Sequence, residues 1–151
     1  MRECSVMRTA KEQKELSEQL KRRTRRFALD VVRLCRRFPK TVDGYVVARQ
    51  LIRAATSVAA NYRAACRARS PDEFAAKIGL VCEEADESQL WLDLSIDAPI
   101  LQDEESRRLL RESGELTAIF TASRDTAKQN IAARKAGLIL AVLAILAVLA
   151  I

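Results

Sequence analysis

Arg69-Ser70-Pro71-Asp72-Glu73-Phe74 marks the start of a helix more sharply than any other stretch of this chain. Ser70 suits the N-cap, where a hydroxyl accepts a hydrogen bond from one of the orphan first-turn N–H groups. Pro71 suits the first helical position, because its missing N–H would have no intrahelical partner there. Glu73, three residues after Ser70, completes the pattern of a capping box. Asp72 and Glu73 also favour the positive end of the helix dipole. Downstream, Phe74, Ile78, Val81, Ala85, Ser88 and Leu92 recur at spacings of three and four, which puts one apolar face on a helix. That helix is expected to stop near Asp97, ahead of Pro99, because the residue before a proline is biased away from the α region.

Working outward, the same periodicity continues on both sides. Before Ser70 a helix is expected from about Tyr45 to about Ala68, with Leu51, Ala55, Val58, Tyr62 and Ala65 facing inward. Residues 39–44 read as a loop, with Asp43-Gly44 as a turn signal. Ahead of Pro39, Leu16, Leu20, Phe27, Val31, Leu34 and Phe38 define a first helix that begins near Lys11. After Pro99, a fourth helix is expected from about Gln102, with Asp103, Glu104 and Glu105 in its first turn and Leu109, Leu116, Phe120, Ser123 and Ala127 as its buried stripe. Gly114 is a weak point within it, costing up to ~1 kcal/mol relative to Ala. No period-2 alternation or hairpin turn argues for strands. Four such helices joined by short loops predict an all-α fold, an antiparallel up-down-up-down four-helix bundle with an apolar C-terminal extension. The expected organisation is a flexible N-terminus over 1–9, the bundle over 10–136 and an apolar low-complexity tail over 137–151.

Composition agrees. A chain of 151 residues fits one domain. Its 4 Gly and 3 Pro leave a background rich in Ala, Leu, Arg and Glu, which favours helix. Cys4, Cys35, Cys66 and Cys82 form no C-x-x-C pair and follow no secretory signal, so reduced cytoplasmic thiols are expected. His is absent, which removes the commonest general base and transition-metal ligand. There is no Gly-rich phosphate loop, no G-x-S-x-G and no Cys/His pair. The expectation is a protein that is not an enzyme and uses no cofactor.

The net charge of +6 is unevenly spread. Residues 1–37 and 38–70 are strongly basic, 71–97 strongly acidic and 98–151 close to balanced. At 100° per residue, Arg49, Arg53, Arg63 and Arg67 fall within an arc of about 80° on helix 2, with Thr56 and Ala60 leaving the stripe open. Lys21, Arg22, Arg23, Arg25 and Arg26 add a basic run on helix 1. A planar guanidinium donates two hydrogen bonds to a phosphate, so this surface suits a nucleic-acid backbone without sequence preference. The competing reading is structural: Glu83, Glu84, Asp86 and Glu87 on helix 3 are placed to pair with the helix 2 arginines. Glu83 and Glu87, one turn apart, are also candidates to share a hard cation, but no facing carboxylate pair completes such a site, and no metal is expected. Leu80, Leu90, Trp91 and Leu94 form a second apolar stripe on helix 3, read either as an interface between subunits or as lateral packing within one.

Residues 137–151 contain no polar side chain, and from Ile139 the sequence repeats ILAVLA. Three readings stand. The first is a membrane anchor preceded by Arg134 and Lys135, although a helix of this length spans only ~22 Å against a hydrocarbon core of ~30 Å. The second is an extension of helix 4 that packs on the bundle or on neighbouring subunits. The third is a low-complexity segment with no selected role.

The motifs Phe38-Pro39-Lys40, Gln50-Leu51-Ile52-Arg53-Ala54-Ala55-Thr56-Ser57-Val58-Ala59-Ala60-Asn61, and Arg69-Ser70 with Glu73-Phe74 carry a family resemblance. The chain resembles, from about residue 20 to about residue 130, the bacterial four-helix-bundle proteins first noticed inside 23S ribosomal RNA intervening sequences. Gly79 to Gln89 matches the small-residue and acidic stretch of that family's third helix, with a heavier acidic run. Where the family usually has Ala-Glu-Gly after the asparagine, this chain has Tyr62-Arg63-Ala64-Ala65. The resemblance implies an up-down bundle and often a ring, commonly a homopentamer. It also implies a relationship to the accessory variability determinant of diversity-generating retroelements, which associates with nucleic acid and a reverse transcriptase.

Together these readings set the functional expectation. The chain is a bacterial, cytoplasmic homo-oligomer binding RNA or DNA backbone through Arg22, Arg23, Arg25, Arg26, Arg49, Arg53, Arg63 and Arg67, and assembling through Leu80, Leu90, Trp91 and Leu94. The alternative is a structural or adaptor protein acting on a protein partner, tethered to a membrane by its tail.

Overall fold

The computed structural model describes residues 9–149, with side chains through residue 141. The segment expected to be flexible therefore lies outside the described residues apart from Thr9. Four helices make up the fold: α1 (Ala10–Cys35), α2 (Val42–Ala65), α3 (Pro71–Asp97) and α4 (Glu104–Leu149), with no strand among the described residues. Consecutive helices are joined by short loops and pack as antiparallel neighbours. α3 lies against both α2 and α4, and α1 closes the square, packing on α2 more extensively than on α4. The chain is an all-α four-helix bundle.

Each helix start has a side-chain reason. Thr9 caps α1 through a reciprocal box: its hydroxyl accepts from the Glu12 N–H at 3.3 Å, and its own N–H donates to Glu12 Oε2 at 2.7 Å. Ser70 caps α3 by accepting from the Glu73 N–H at 3.1 Å. The expected box is not closed there, because Glu73 Oε2 instead accepts from the Arg69 N–H at 2.9 Å, one residue earlier. α2 begins before the expected position. Thr41 accepts from the Gly44 N–H at 3.3 Å, which draws Val42, Asp43 and Gly44 into the first turn, with Asp43 at the positive helix end. Asp43-Gly44 is therefore helical and not a turn. Glycine is required there for closeness: a Cβ on Gly44 would run into the carbonyl oxygen of Pro39. At α4, Asp103 accepts from the Ser106 N–H at 2.8 Å and from its hydroxyl at 2.9 Å.

The core follows the apolar stripes. Phe27, Val31 and Leu34 of α1, Leu51, Ala55 and Val58 of α2, Ile78, Val81 and Leu92 of α3, and Leu109, Leu116 and Phe120 of α4 are buried. Fully burying side chains of this size contributes about 1.5–3 kcal/mol each. Tyr62 and Phe120 meet with ring centroids 5.1 Å apart at 44°, a tilted arrangement favoured by the ring quadrupoles. The first turns of α1 stand clear of the core, and Leu16 is exposed where burial was expected. The α3–α4 seam is built from small residues. Ser88, Ser95, Ser106 and Ser113 are fully buried, and their spacing of seven lets the two backbones approach. The hydroxyls of Ser88, Ser95 and Ser113 bond to carbonyls of their own helix, so no buried polar group is left open there.

Candidate nucleic-acid interface

The core stripe of α2 fixes where its arginines go. With Leu51, Ala55, Val58 and Tyr62 turned inward, Arg49, Arg53 and Arg63 emerge on the opposite side. α2 ends at Ala65, short of the expected Ala68, so Arg67 sits in the turn that follows, and all four are exposed. Arg53 leans toward α3. It donates to Glu87 Oε1 and lies 3.6 Å from Glu84 Oε2. Glu87 also accepts from Trp91 Nε1 at 3.1 Å. These contacts, the Arg53 guanidinium first, hold the Glu87 carboxyl below the usual carboxylate range. Glu84 goes the other way, because partial burial pushes its carboxyl up, and its Oε2 has no hydrogen-bond partner. Arg49, Arg63 and Arg67 enter no ion pair among the described residues. One member of the stripe is thus pinned to the acidic helix, and three project into solvent.

The helix 1 cluster divides in the same manner. Arg23 turns to α4 and grips Glu112 with both arms, at 2.7 and 2.9 Å, while also reaching Glu115. Arg22, Arg25 and Arg26 are exposed and enter no ion pair among the described residues. The expected charge traffic between α2 and α3 is therefore modest, and most long-range ion pairs cross the α1–α4 seam instead. Besides Arg23, Arg37 meets Asp103, and Arg108 reaches Asp30 at 2.9 Å. This seam has the thinnest packing in the bundle, and charge pairs occupy it where apolar contact is scarce. The sequence signal for it was the acidic start of α4, set opposite the basic end of α1.

The second stripe of α3 faces outward in the single chain. Leu80, Leu90 and Leu94 are 48%, 51% and 41% exposed, and only Trp91 lies against the core cluster. Tyr45 and Val46, near the start of α2, are also exposed and were not singled out in the sequence. No group of three or more His, Cys, Asp or Glu side chains able to hold a metal occurs among the described residues, and Glu87 is already engaged by Arg53 and Trp91. Cys35, Cys66 and Cys82 are free, and burial pushes the Cys35 thiol up to about 12, which makes it inert. A cleft of about 1050 Å³ opens between the α1 N-terminal half and α4, floored by Leu20, Tyr62, Phe74 and Ile78. No sequence pattern announced it.

The fold and sequence have clear relatives. A protein of unknown function from the S23 ribosomal protein family of Bacteroides thetaiotaomicron, solved as a crystal structure, is 27% identical. It superposes with a TM-score of 0.64 over 69% of this chain and 96% of its own. No curated protein matches the chain. The model of the 23S rRNA-intervening sequence protein family matches residues 17–122. With that match covering the bundle from the middle of α1 to the middle of α4, the chain belongs to the 23S rRNA-intervening sequence protein family.

Proposed function

We propose that this protein is a non-enzymatic, cytoplasmic homo-oligomer, with a homopentameric ring the state its family resemblance implies, and that it binds the phosphate backbone of RNA or DNA. The observation that carries the reading is the outward set Arg49, Arg63 and Arg67, which keep their guanidinium groups exposed while Arg53 is drawn into an ion pair. Arg22, Arg25 and Arg26 extend the basic surface on α1, the neighbour of α2. Structural ion pairing accounts for Arg23 and Arg53 and leaves these six without a partner among the described residues. The absence of interleaved aromatic side chains in the stripe favours duplex or folded nucleic acid over stacking on single strands. Assembly is supported by Leu80, Leu90 and Leu94, which expose apolar surface on the outer side of α3.

Fluorescence anisotropy with mixed-sequence duplex RNA tests the binding reading. Affinity should fall steeply with salt, with a log–log slope of roughly −0.9 per phosphate neutralised. Binding that stays unmeasurable at low salt ends the proposal.

A further inference from the structure

Helix α4 has 46 residues, against 26, 24 and 27 in α1, α2 and α3. At about 1.5 Å per residue it runs roughly 69 Å, while its partners run about 40 Å. Its C-terminal part therefore projects past the end of the bundle. Where side chains are described, the projection is bare: Leu138, Ile139 and Leu140 are 68%, 60% and 67% exposed. The sequence from 137 to 151 holds no polar side chain at all.

Two observations identify what covers it. The first is its symmetry. A second copy or a protein groove covers a helix along one stripe, and helices selected for that keep a polar back. The six-residue ILAVLA repeat is out of step with the 3.6-residue turn, so no apolar stripe persists and no polar side exists. A surround that is apolar in every direction, hydrocarbon, matches such a segment. The second is charge. α4 leaves the bundle at the end where α1 starts, α2 finishes and α3 begins. That end carries Arg63, Arg67, Arg69, Lys128, Arg134 and Lys135 against Asp72 and Glu73, while the start of α1 adds Lys11 and Lys14 against Glu12, Glu15 and Glu18, which leaves a basic excess. Among the described residues, only Arg69 and Lys135 of the six cations on α2, α4 and the α2–α3 loop form ion pairs, with Glu73 and Asp72. The opposite end is offset by its own acids, with Arg37, Arg108 and Arg111 paired to Asp103, Glu105 and Glu104. Two basic ends repel if copies meet tail to tail, whereas a layer of anionic headgroups attracts them.

We infer that the apolar end of α4, from residue 137 onward, enters the acyl region of an anionic lipid bilayer, with the basic end of the bundle resting on the headgroups. No described helix is long and apolar enough to cross a membrane, and insertion of this kind does not require crossing. Arg63 and Arg67 are shared with the nucleic-acid reading, but the apolar end of α4 takes no part in that reading and is tested apart from it.

Vesicle flotation tests it, using phosphatidylcholine liposomes with and without phosphatidylglycerol. The full chain should float with the anionic vesicles, and a chain ending at Ala136 should stay at the bottom of the gradient. Leu140→Asp, which keeps the length, should also lose flotation. Arg134→Gln with Lys135→Gln should weaken partition roughly tenfold or more. Duplex RNA binding measured on the Ala136 truncation should be unchanged, which separates failure of this inference from failure of the polyanion reading. The inference is overturned if the full chain does not float, if truncation floats equally well, or if neutral vesicles bind as strongly as anionic ones. It is equally overturned if the tail proves to be a self-association element, so that truncation lowers the oligomer mass while neither form binds lipid.

Discussion

Arg53, Glu84 and Glu87 show how one side chain is assigned between structure and function. The guanidinium of Arg53 is half exposed, so water screens its pairing and the pair adds little to stability. Arg53→Met should lower the melting temperature slightly, because Glu84 loses its one ion-pair partner among the described residues, at an oxygen that has no hydrogen bond. Glu84→Met should leave it unchanged or raise it, since that removes the unsatisfied carboxylate. A thermal melt of both variants checks the asymmetry. The same carboxylates set the response to acid. Glu87, held low by Arg53, Glu73, held low by the Arg69 N–H, and Glu105, held low by Arg108, all bind protons less readily folded than unfolded. The stability they contribute is complete above the ordinary carboxylate pKa of about 4 and is lost as pH falls through the lower folded values. Glu84 has the opposite sign, and its contribution is present in acid and lost as pH rises. Glu18, Asp43 and Asp103 are lowered as well, so with six groups against one, stability should decline below about pH 4. Chemical denaturation at a series of pH values measures the slope, and a flat profile contradicts the assignments.

At the scale of the helix, α3 and α4 share a seam that overpacking should disrupt. Ser113→Leu forces a larger side chain against the facing helix and should cost about 1–3 kcal/mol. Ser113→Ala should stay within about 0.5 kcal/mol, because the hydroxyl bonds only to the Leu110 carbonyl of its own helix. Urea titration of the pair reads both values. This seam also marks where reading the sequence stops. The stripes of Leu, Val, Ile and Phe are legible because burial of large apolar groups dominates folding, and they give all four helices. Both ends of α1, α2 and α3 and the start of α4 are correct to a few residues; the stripes leave the end of α4 open, and the helix runs on to Leu149. Buried serines are less legible: the periodicity places Ser88 on the inner face of α3, but it misses Ser95, Ser106 and Ser113, and Ser123, expected to be buried, is only half-buried. The early start of α2 was missed for a similar reason. Asp-Gly is a turn signal unless a preceding threonine caps it, and Thr41 does. The arginine stripe was legible as a face, but which member pairs depends on side-chain reach to a neighbouring helix, and that is set by the packing of α2 on α3.

For the whole molecule, assembly and polyanion binding are coupled if both readings hold. Six exposed arginines on one small bundle, three of them from α2 and the turn after it, make few phosphate contacts, and each contributes only about one unit of salt slope. Arg49→Gln with Arg63→Gln and Arg67→Gln should accordingly reduce the slope on duplex RNA by roughly 2–3 units per bundle engaged. A ring repeats the stripe, and linked copies bind an extended duplex far more tightly than the single site does, without any new kind of contact. Leu90→Glu with Leu94→Glu touches no arginine and replaces two side chains that are 51% and 41% exposed, so the bundle itself should keep its helicity and melting temperature. On the outer face of α3, next to Glu83 and Glu87, the new carboxylates put like charges into any contact between copies. Native mass spectrometry should then show the oligomer falling to monomers, and duplex RNA affinity should drop by tenfold or more with the arginines all in place. Loss of assembly with RNA affinity untouched means that each bundle binds alone. Assembly that survives the double substitution moves the contact between copies off this face of α3.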